Sequence, residues 1–177
     1  MLNIDLLKEM TDQADYAEVQ VPKKKTIDFA QVFSNTRQCS GLGLHCNMFD
    51  DDDMRAIGDQ LKSCHSVTQL NLYSDRIGPC GAKYLADGLK ENKFLTHLLM
   101  GENQLGDEGA RHMADALKIN ETLGLLRLER NGIGHIGAQF IGEGLALNKV
   151  RLPNVIIDIM FLPADSWRII SSWKWYW

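Results

Sequence analysis

A unit of 28 residues, written four times in succession between residues 39 and 150, constrains this chain more than any other feature. The copies begin at Cys39, Val67, Leu95 and Leu123. The third reads LTHLLMGENQLGDEGARHMADALKINET and the fourth LGLLRLERNGIGHIGAQFIGEGLALNKV; the first is the most divergent. Aligned, the copies form columns. Leu42, Leu70, Leu98 and Leu126 fill one apolar column, and Leu44, Leu72, Met100 and Leu128 fill another two residues on. A spacing of two puts both side chains on one face of a strand. Asn47, Asp75, Asn103 and Asn131 follow three residues later, then Phe49, Ile77, Leu105 and Ile133.

The period changes in the second half of each unit. Met54, Ala82, Ala110 and Ala138 form one column. Ile57, Leu85, Met113 and Ile141 form the next, and Leu61, Leu89, Leu117 and Leu145 a third. Offsets of three and four make one apolar stripe along a helix. Small residues beside the stripe (Gly58, Ala86, Ala114, Gly142) are expected to let the helix approach the strand layer. Gly81, Gly109 and Gly137 mark the helix start, Pro79 suits a first turn, and the carboxylates Asp50 to Asp53 oppose the positive end of a helix dipole. Each unit is therefore a strand, a turn, a helix and a return loop. A lone unit cannot bury enough apolar surface to offset the entropy of ordering it, so the units must stack.

These columns resemble the leucine-rich-repeat pattern LxxLxLxxN. The 28-residue length and helical second half are similar to its ribonuclease-inhibitor-like subclass. Val67, Leu70, Leu72 and Asp75 match one copy, Leu95, Leu98, Met100 and Asn103 the next, and Leu123, Leu126, Leu128 and Asn131 the last. The resemblance implies an α/β fold, a right-handed solenoid arc with parallel strands on the concave side and helices on the convex side. It also implies a structural ladder through Asn47, Asp75, Asn103 and Asn131, whose amides bond the backbone of adjacent turns. Asp75 departs from the pattern, because an ionised carboxylate accepts hydrogen bonds and donates none.

The expected organisation is an N-terminal capping segment over residues 1–38, four repeats over 39–150, and a degenerate last repeat or C-terminal cap over 151–177. Within the first segment, residues 26–36 are expected to form a capping helix and Val19–Val21 an edge strand, since Phe29, Ala30 and Phe33 fall on helix columns one repeat earlier. The aromatic C-terminus, with Trp173, Trp175, Tyr176 and Trp177, is a candidate for self-association.

On each strand the residues flanking the buried leucines face the concave side. They are Gly41, Gly43 and His45; Gln69, Asn71 and Tyr73; His97, Leu99 and Gly101; and Leu125, Arg127 and Glu129. The candidate protein-binding set is His45, Gln69, Asn71, Tyr73, His97, Leu99, Leu125, Arg127 and Glu129. Leu99 and Leu125 are expected to be exposed apolar residues on adjacent strands, and Tyr73 and Arg127 are residue types enriched at interface hot spots. An ordinary solvated sheet face is the alternative for all of them.

Composition narrows the function. A net charge of −4 argues against nucleic acid, which rewards a basic face. No window approaches 18 consecutive apolar residues, so no membrane span is expected, and the N-terminus lacks the pattern of a signal peptide. Cys39, Cys46, Cys64 and Cys80 form no CxxC pair, and Cys46, Cys64 and His65 have no zinc spacing, so neither a metal nor any cofactor is expected. Asp50–Asp53 lacks the spacing of a calcium loop, and no nucleophile or phosphate-loop motif occurs. Asn120-Glu121-Thr122 is a glycosylation sequon, but Asn120 is in register with Asn92 and Asn148, so the repeat accounts for it. The expected function is a non-catalytic, cytoplasmic protein-interaction module that takes a protein partner on its concave face. The alternatives are a regulator of another enzyme (a GTPase activator or nuclease inhibitor) and a structural subunit of a larger assembly.

Overall fold

A computed structural model describes residues 16–19, 27–35 and 40–148. Residues 151–177, where a degenerate last repeat or cap and the aromatic tail are expected, lie outside the described residues, as do Cys39 and Val21. Five strands alternate with five helices: β1 (Tyr16–Glu18), α1 (Phe29–Asn35), β2 (Gly41–Gly43), α2 (Asp51–Ser63), β3 (Gln69–Asn71), α3 (Pro79–Glu91), β4 (His97–Leu99), α4 (Gly106–Leu117), β5 (Leu125–Arg127) and α5 (His135–Leu147). The strands form one parallel sheet in sequence order, with Leu42, Leu70, Leu98 and Leu126 in register across β2 to β5. This is the expected leucine-rich-repeat arc, strands on one side and helices on the other. The edge strand begins earlier than the sequence suggests, at Tyr16, with Val19 buried just beyond its end.

The core runs unbroken through the stack, because each unit's apolar stripe is covered by the next. Leu42, Leu44, Ile57, Leu61, Leu72, Leu85, Leu89, Leu98, Met100, Met113, Leu117 and Leu126 are each 0% exposed. Removing such a leucine side chain from water contributes about 1.5–3 kcal/mol. At the N-terminal end, α1 closes the core with Phe29 and Phe33, and the Phe29 ring meets Phe49 edge-on at 5.6 Å. Those two phenylalanines occupy the columns of Ile57 and Leu61.

The helix starts are secured in different ways. Asp50 caps α2: its Oδ1 accepts from the Asp53 amide at 2.9 Å, while Asp53 Oδ2 accepts from the Asp50 amide at 3.2 Å. Gly134 has no side chain to cap α5, so the preceding repeat supplies one. Asp107 Oδ1 accepts from the amides of Gly134 at 2.7 Å and Gly137 at 3.0 Å. A Cβ on Gly137 would lie 2.6 Å from that oxygen, so a side chain there would push the Asp107 cap aside.

Among the small residues beside the helix stripe, the close approach seen at Gly58 is to a neighbouring helix, so Gly58 serves helix–helix contact. A Cβ on Gly58 would lie 2.4 Å from the carbonyl oxygen of Tyr84 in α3, and one on Gly88 would lie 2.3 Å from the carbonyl oxygen of Gly58. Gly142 meets nothing within 4 Å.

The turns after the strands hold non-glycine residues in the left-handed region. Cys46, Ser74, Glu102 and Arg130 share one column with φ between 54° and 63°. Met48 (φ 59°) and Arg76 (φ 61°) share a second column, in which the fourth unit has Gly132 (φ 67°). Left-handed backbone costs an L-residue roughly 1–2 kcal/mol, and glycine avoids this at some entropic cost of its own. Arg76 is exposed. Arg76→Gly is therefore expected to raise stability by about 0.5–1 kcal/mol, read as an upward shift of the urea midpoint. A fall would show that the arginine side chain contributes more than the strain removes.

Candidate interaction surface

The concave face is built by alternation. With Leu70, Leu98 and Leu126 pointing into the core, their neighbours on β3, β4 and β5 must point out. Gln69 and Arg127 are exposed, and Asn71, His97, Leu99 and Leu125 are half-buried. His97 pairs with Leu125 across the sheet, and Leu99 with Arg127. Leu99 and Leu125 are thus diagonal neighbours, less open than the sequence reading expected. A strand spacing near 4.8 Å lets long neighbouring side chains shield a leucine between them. The large apolar residues exposed among the described residues (Met48, Phe94, Ile119, Ile136 and Leu147) lie off this sheet face.

At its N-terminal end the face is covered. The Tyr16 ring lies across Gly41 and Gly43, where a Cβ would come within 2.2 Å and 2.7 Å of it, so both glycines are buried. This corrects the expectation that they line an open surface. The physical reason is that two strand residues without side chains leave a trough one ring wide. The Tyr16 hydroxyl hydrogen-bonds the Asn71 side chain; burial raises its pKa, against the lowering effect of that bond. Asn71 Nδ2 lies 3.4 Å from His45 Nδ1, and His45 Nε2 lies 3.1 Å from Glu18 Oε1. Asn71 Oδ1 accepts from the Tyr73 amide at 3.1 Å. The side chains of Tyr16, Asn71, His45 and Glu18, from three strand regions, thus form one polar chain.

The C-terminal half carries a second network. Tyr73 donates to Glu102, and Arg130 pairs with the same carboxylate through Nη1. Those two bonds hold Glu102 below the usual carboxylate range, while the bond to Glu102 is the main cause that raises the Tyr73 phenol. Glu129 reaches over Gly101, where a Cβ would lie 2.5 Å from Tyr73 Cε2 and 2.7 Å from Glu129 Cδ. Arg127 Nε stands 3.7 Å from Glu129 Oε1. Glu102 and Arg130 lie outside the set of alternating strand positions. Their signal in the sequence is their 28-residue separation, which puts opposite charges on neighbouring turns.

Behind this face, the turns are joined by side-chain amides. Asn103 Nδ2 donates to the carbonyls of Leu72 at 2.8 Å, Met100 at 3.0 Å and Gly101 at 3.2 Å, and its Oδ1 accepts from the amides of Asp75 and Ile77. Asn131 Nδ2 donates to Met100 at 2.7 Å, and Asn47 Nδ2 to Val19 at 3.1 Å and Leu44 at 2.6 Å. A second set lies at the return loops. Asn92 and Asn120 donate to carbonyls of the preceding repeat and accept from amides two and three residues further along the chain. Asn148 Nδ2 donates to the carbonyl of Asn120 at 2.8 Å. The sequon asparagine is 0% exposed and bonded through both ends of its amide.

Among the described residues, no cluster of three His, Cys, Asp or Glu side chains could hold a metal ion, and no helix is long and apolar enough to cross a membrane. Cys46 and Cys80 are exposed free thiols and Cys64 a buried one.

A leucine-rich-repeat family model matches residues 91–114. No curated protein matches the chain. The solved structure of leiomodin-1 actin-binding site 2 is similar over 83% of this chain and 87% of its own, with a TM-score of 0.70 and 20% sequence identity. The C-terminal domain of tropomodulin from Caenorhabditis elegans is similar over 80% of this chain and 89% of its own, with a TM-score of 0.53 and 19% identity. The repeat columns, the matched repeat and the shared architecture give this chain a leucine-rich-repeat fold.

Proposed function

We propose that this chain is a non-catalytic protein-interaction module, of the ribonuclease-inhibitor-like subclass, that takes a protein partner on its concave face. The observation that carries the reading is the order of that face. Tyr73, Glu129 and Arg127 are tied to one another or to the rim residues Glu102 and Arg130, beside the half-buried Leu99 and Leu125. Side chains held before contact lose less entropy on binding, and an aromatic residue and an arginine beside apolar surface make a hot-spot composition. The leiomodin-1 domain of similar fold is an actin-binding site, so actin is the first partner to test. A cytoplasmic location accords with the free thiols at Cys46, Cys64 and Cys80.

The test is a co-sedimentation and pull-down series with wild type and a Tyr73→Ala, Leu99→Glu, Arg127→Glu variant. The triple variant is expected to weaken capture of the wild-type partner at least about tenfold, since losing one hot-spot residue alone typically costs 2 kcal/mol or more. Its circular dichroism should stay that of the wild type, because none of the three residues is in the core. Undiminished capture by a folded variant would move the binding site off this face.

A further inference from the structure

Asp75 occupies an asparagine column, yet its surroundings are those of the asparagines. It is 0% exposed. Its Oδ1 accepts from the amides of Asn47 at 2.5 Å and Met48 at 3.2 Å, and so fixes the turn of the preceding repeat. Its Oδ2 is buried with no hydrogen-bond partner. The neighbouring rungs show what that second atom faces. Asn103 Nδ2 bonds one carbonyl three residues before it and one 31 residues before it, and Asn131 also reaches 31 residues back. As a result Met100 O accepts from both Asn103 and Asn131. The equivalent carbonyls for Asp75 are those of Leu72 and Leu44. Among the described residues, Leu72 O accepts only from Asn103 and Leu44 O only from Asn47 among the side-chain amides. Each lacks the donor that an amide at position 75 would supply.

We propose that Asp75 is a pH-sensitive rung joining the first and second repeats: as a neutral acid its Oδ2–H donates to the carbonyl oxygen of Leu44 or Leu72, and as a carboxylate, its proton released to solvent, it loosens that joint. A carboxylate oxygen against carbonyl oxygens is repelled, whereas a carboxylic acid there replaces the missing amide donor. Burial pushes the Asp75 carboxyl up to about 7, against the lowering effect of the Asn47 and Met48 amides. The titratable or charged groups on the turns packed around it are His45 and Cys46 before it, Tyr73 and Arg76 on its own turn, and Glu102 after it. None of them is among the causes of that shift.

The direction of the pH effect follows. The folded value is above the unfolded one, near 3.9, so the folded state holds the proton over the interval between them. The contribution of the protonated rung is fully present below about 4. It declines as pH rises and is gone once pH has passed about 7.

The experiment compares unfolding of the full chain with that of Asp75→Asn between pH 4 and 8.5, together with a carboxyl-carbon NMR titration of Asp75 in the wild type. The folding constant of Asp75→Asn relative to wild type is expected to rise with pH, approaching tenfold per unit over the interval, and to level off above 7. The Asp75 carboxyl signal should titrate near neutrality, and the amide signals of Asn47 and Met48 should move with the same midpoint. A ratio independent of pH, or a carboxyl that titrates near 4, would overturn the proposal. If Asp75→Asn does not fold, the wild-type titration decides alone.

Discussion

Asn120→Ala is expected to cost about 3–5 kcal/mol of folding free energy, among the larger effects a single side chain can have. The asparagine lies in the return loop after α4 with no exposure, and its amide joins two repeats. Nδ2 donates to the carbonyls of Leu89 at 2.8 Å and Asn92 at 3.1 Å. Oδ1 accepts from the amides of Thr122 at 3.0 Å and Leu123 at 2.8 Å. Alanine removes these four bonds, and the one from the Thr122 hydroxyl at 3.3 Å, and leaves the two carbonyls and two amides without partners in a loop they cannot leave. A buried backbone group without a partner costs roughly 1–3 kcal/mol, and partial relaxation keeps the total below the simple sum. Urea denaturation followed by circular dichroism measures it. A loss under about 1 kcal/mol would mean that water replaces the amide, and the return-loop bonds would then not govern stability.

Gly88→Ala is expected to destabilise the protein by about 1–3 kcal/mol, although alanine is the better helix former. Gly88 lies inside α3, and an added methyl would come within 2.3 Å of the Gly58 carbonyl oxygen and 3.0 Å of the Gly58 Cα in α2. Backbone on a neighbouring helix cannot turn aside as a side chain can, so the two helices must separate and disturb the Leu61 and Leu89 layer beneath. Gly142 in α5 is the matched control. It has nothing within 4 Å of its Cβ position, so Gly142→Ala should stabilise by up to about 1 kcal/mol through helix propensity alone. The opposite signs are the test, read as shifts in thermal midpoint. If both substitutions stabilise, the helices can spread freely at that crossing.

The repeat made most of the fold legible. A strand period of two followed by helical offsets of three and four fixes which side chains are inside, and the family resemblance that the 28-residue columns carry implies the parallel strands that the fold has. The core leucines, the helices α2 to α5 and the phenylalanine cap on α1 all follow from those columns. The concave set was named by alternation alone. What alternation omits is any contact between side chains far apart in the period. Nothing in the sequence near Gly41 announces that Tyr16 lies over it, or that Tyr73 reaches Glu102. The small residues beside the helix stripe are legible as a column, but spacing tells which residues share a face and not that Gly58 meets the backbone of the next helix.

The columns determined, by themselves, that this chain is a stack of strand–turn–helix units and that position 75 departs from its asparagine column. Burial and register are sums over neighbouring turns, which only the assembled stack supplies. It takes the folded structure to put Asp75 Oδ2 beyond reach of water and of any donor, to lay Tyr16 across the glycine trough, and to bring Gly58 and Gly88 backbone to backbone. The 28-residue unit says which residue stands at each place in the stack, and packing decides what that residue meets there.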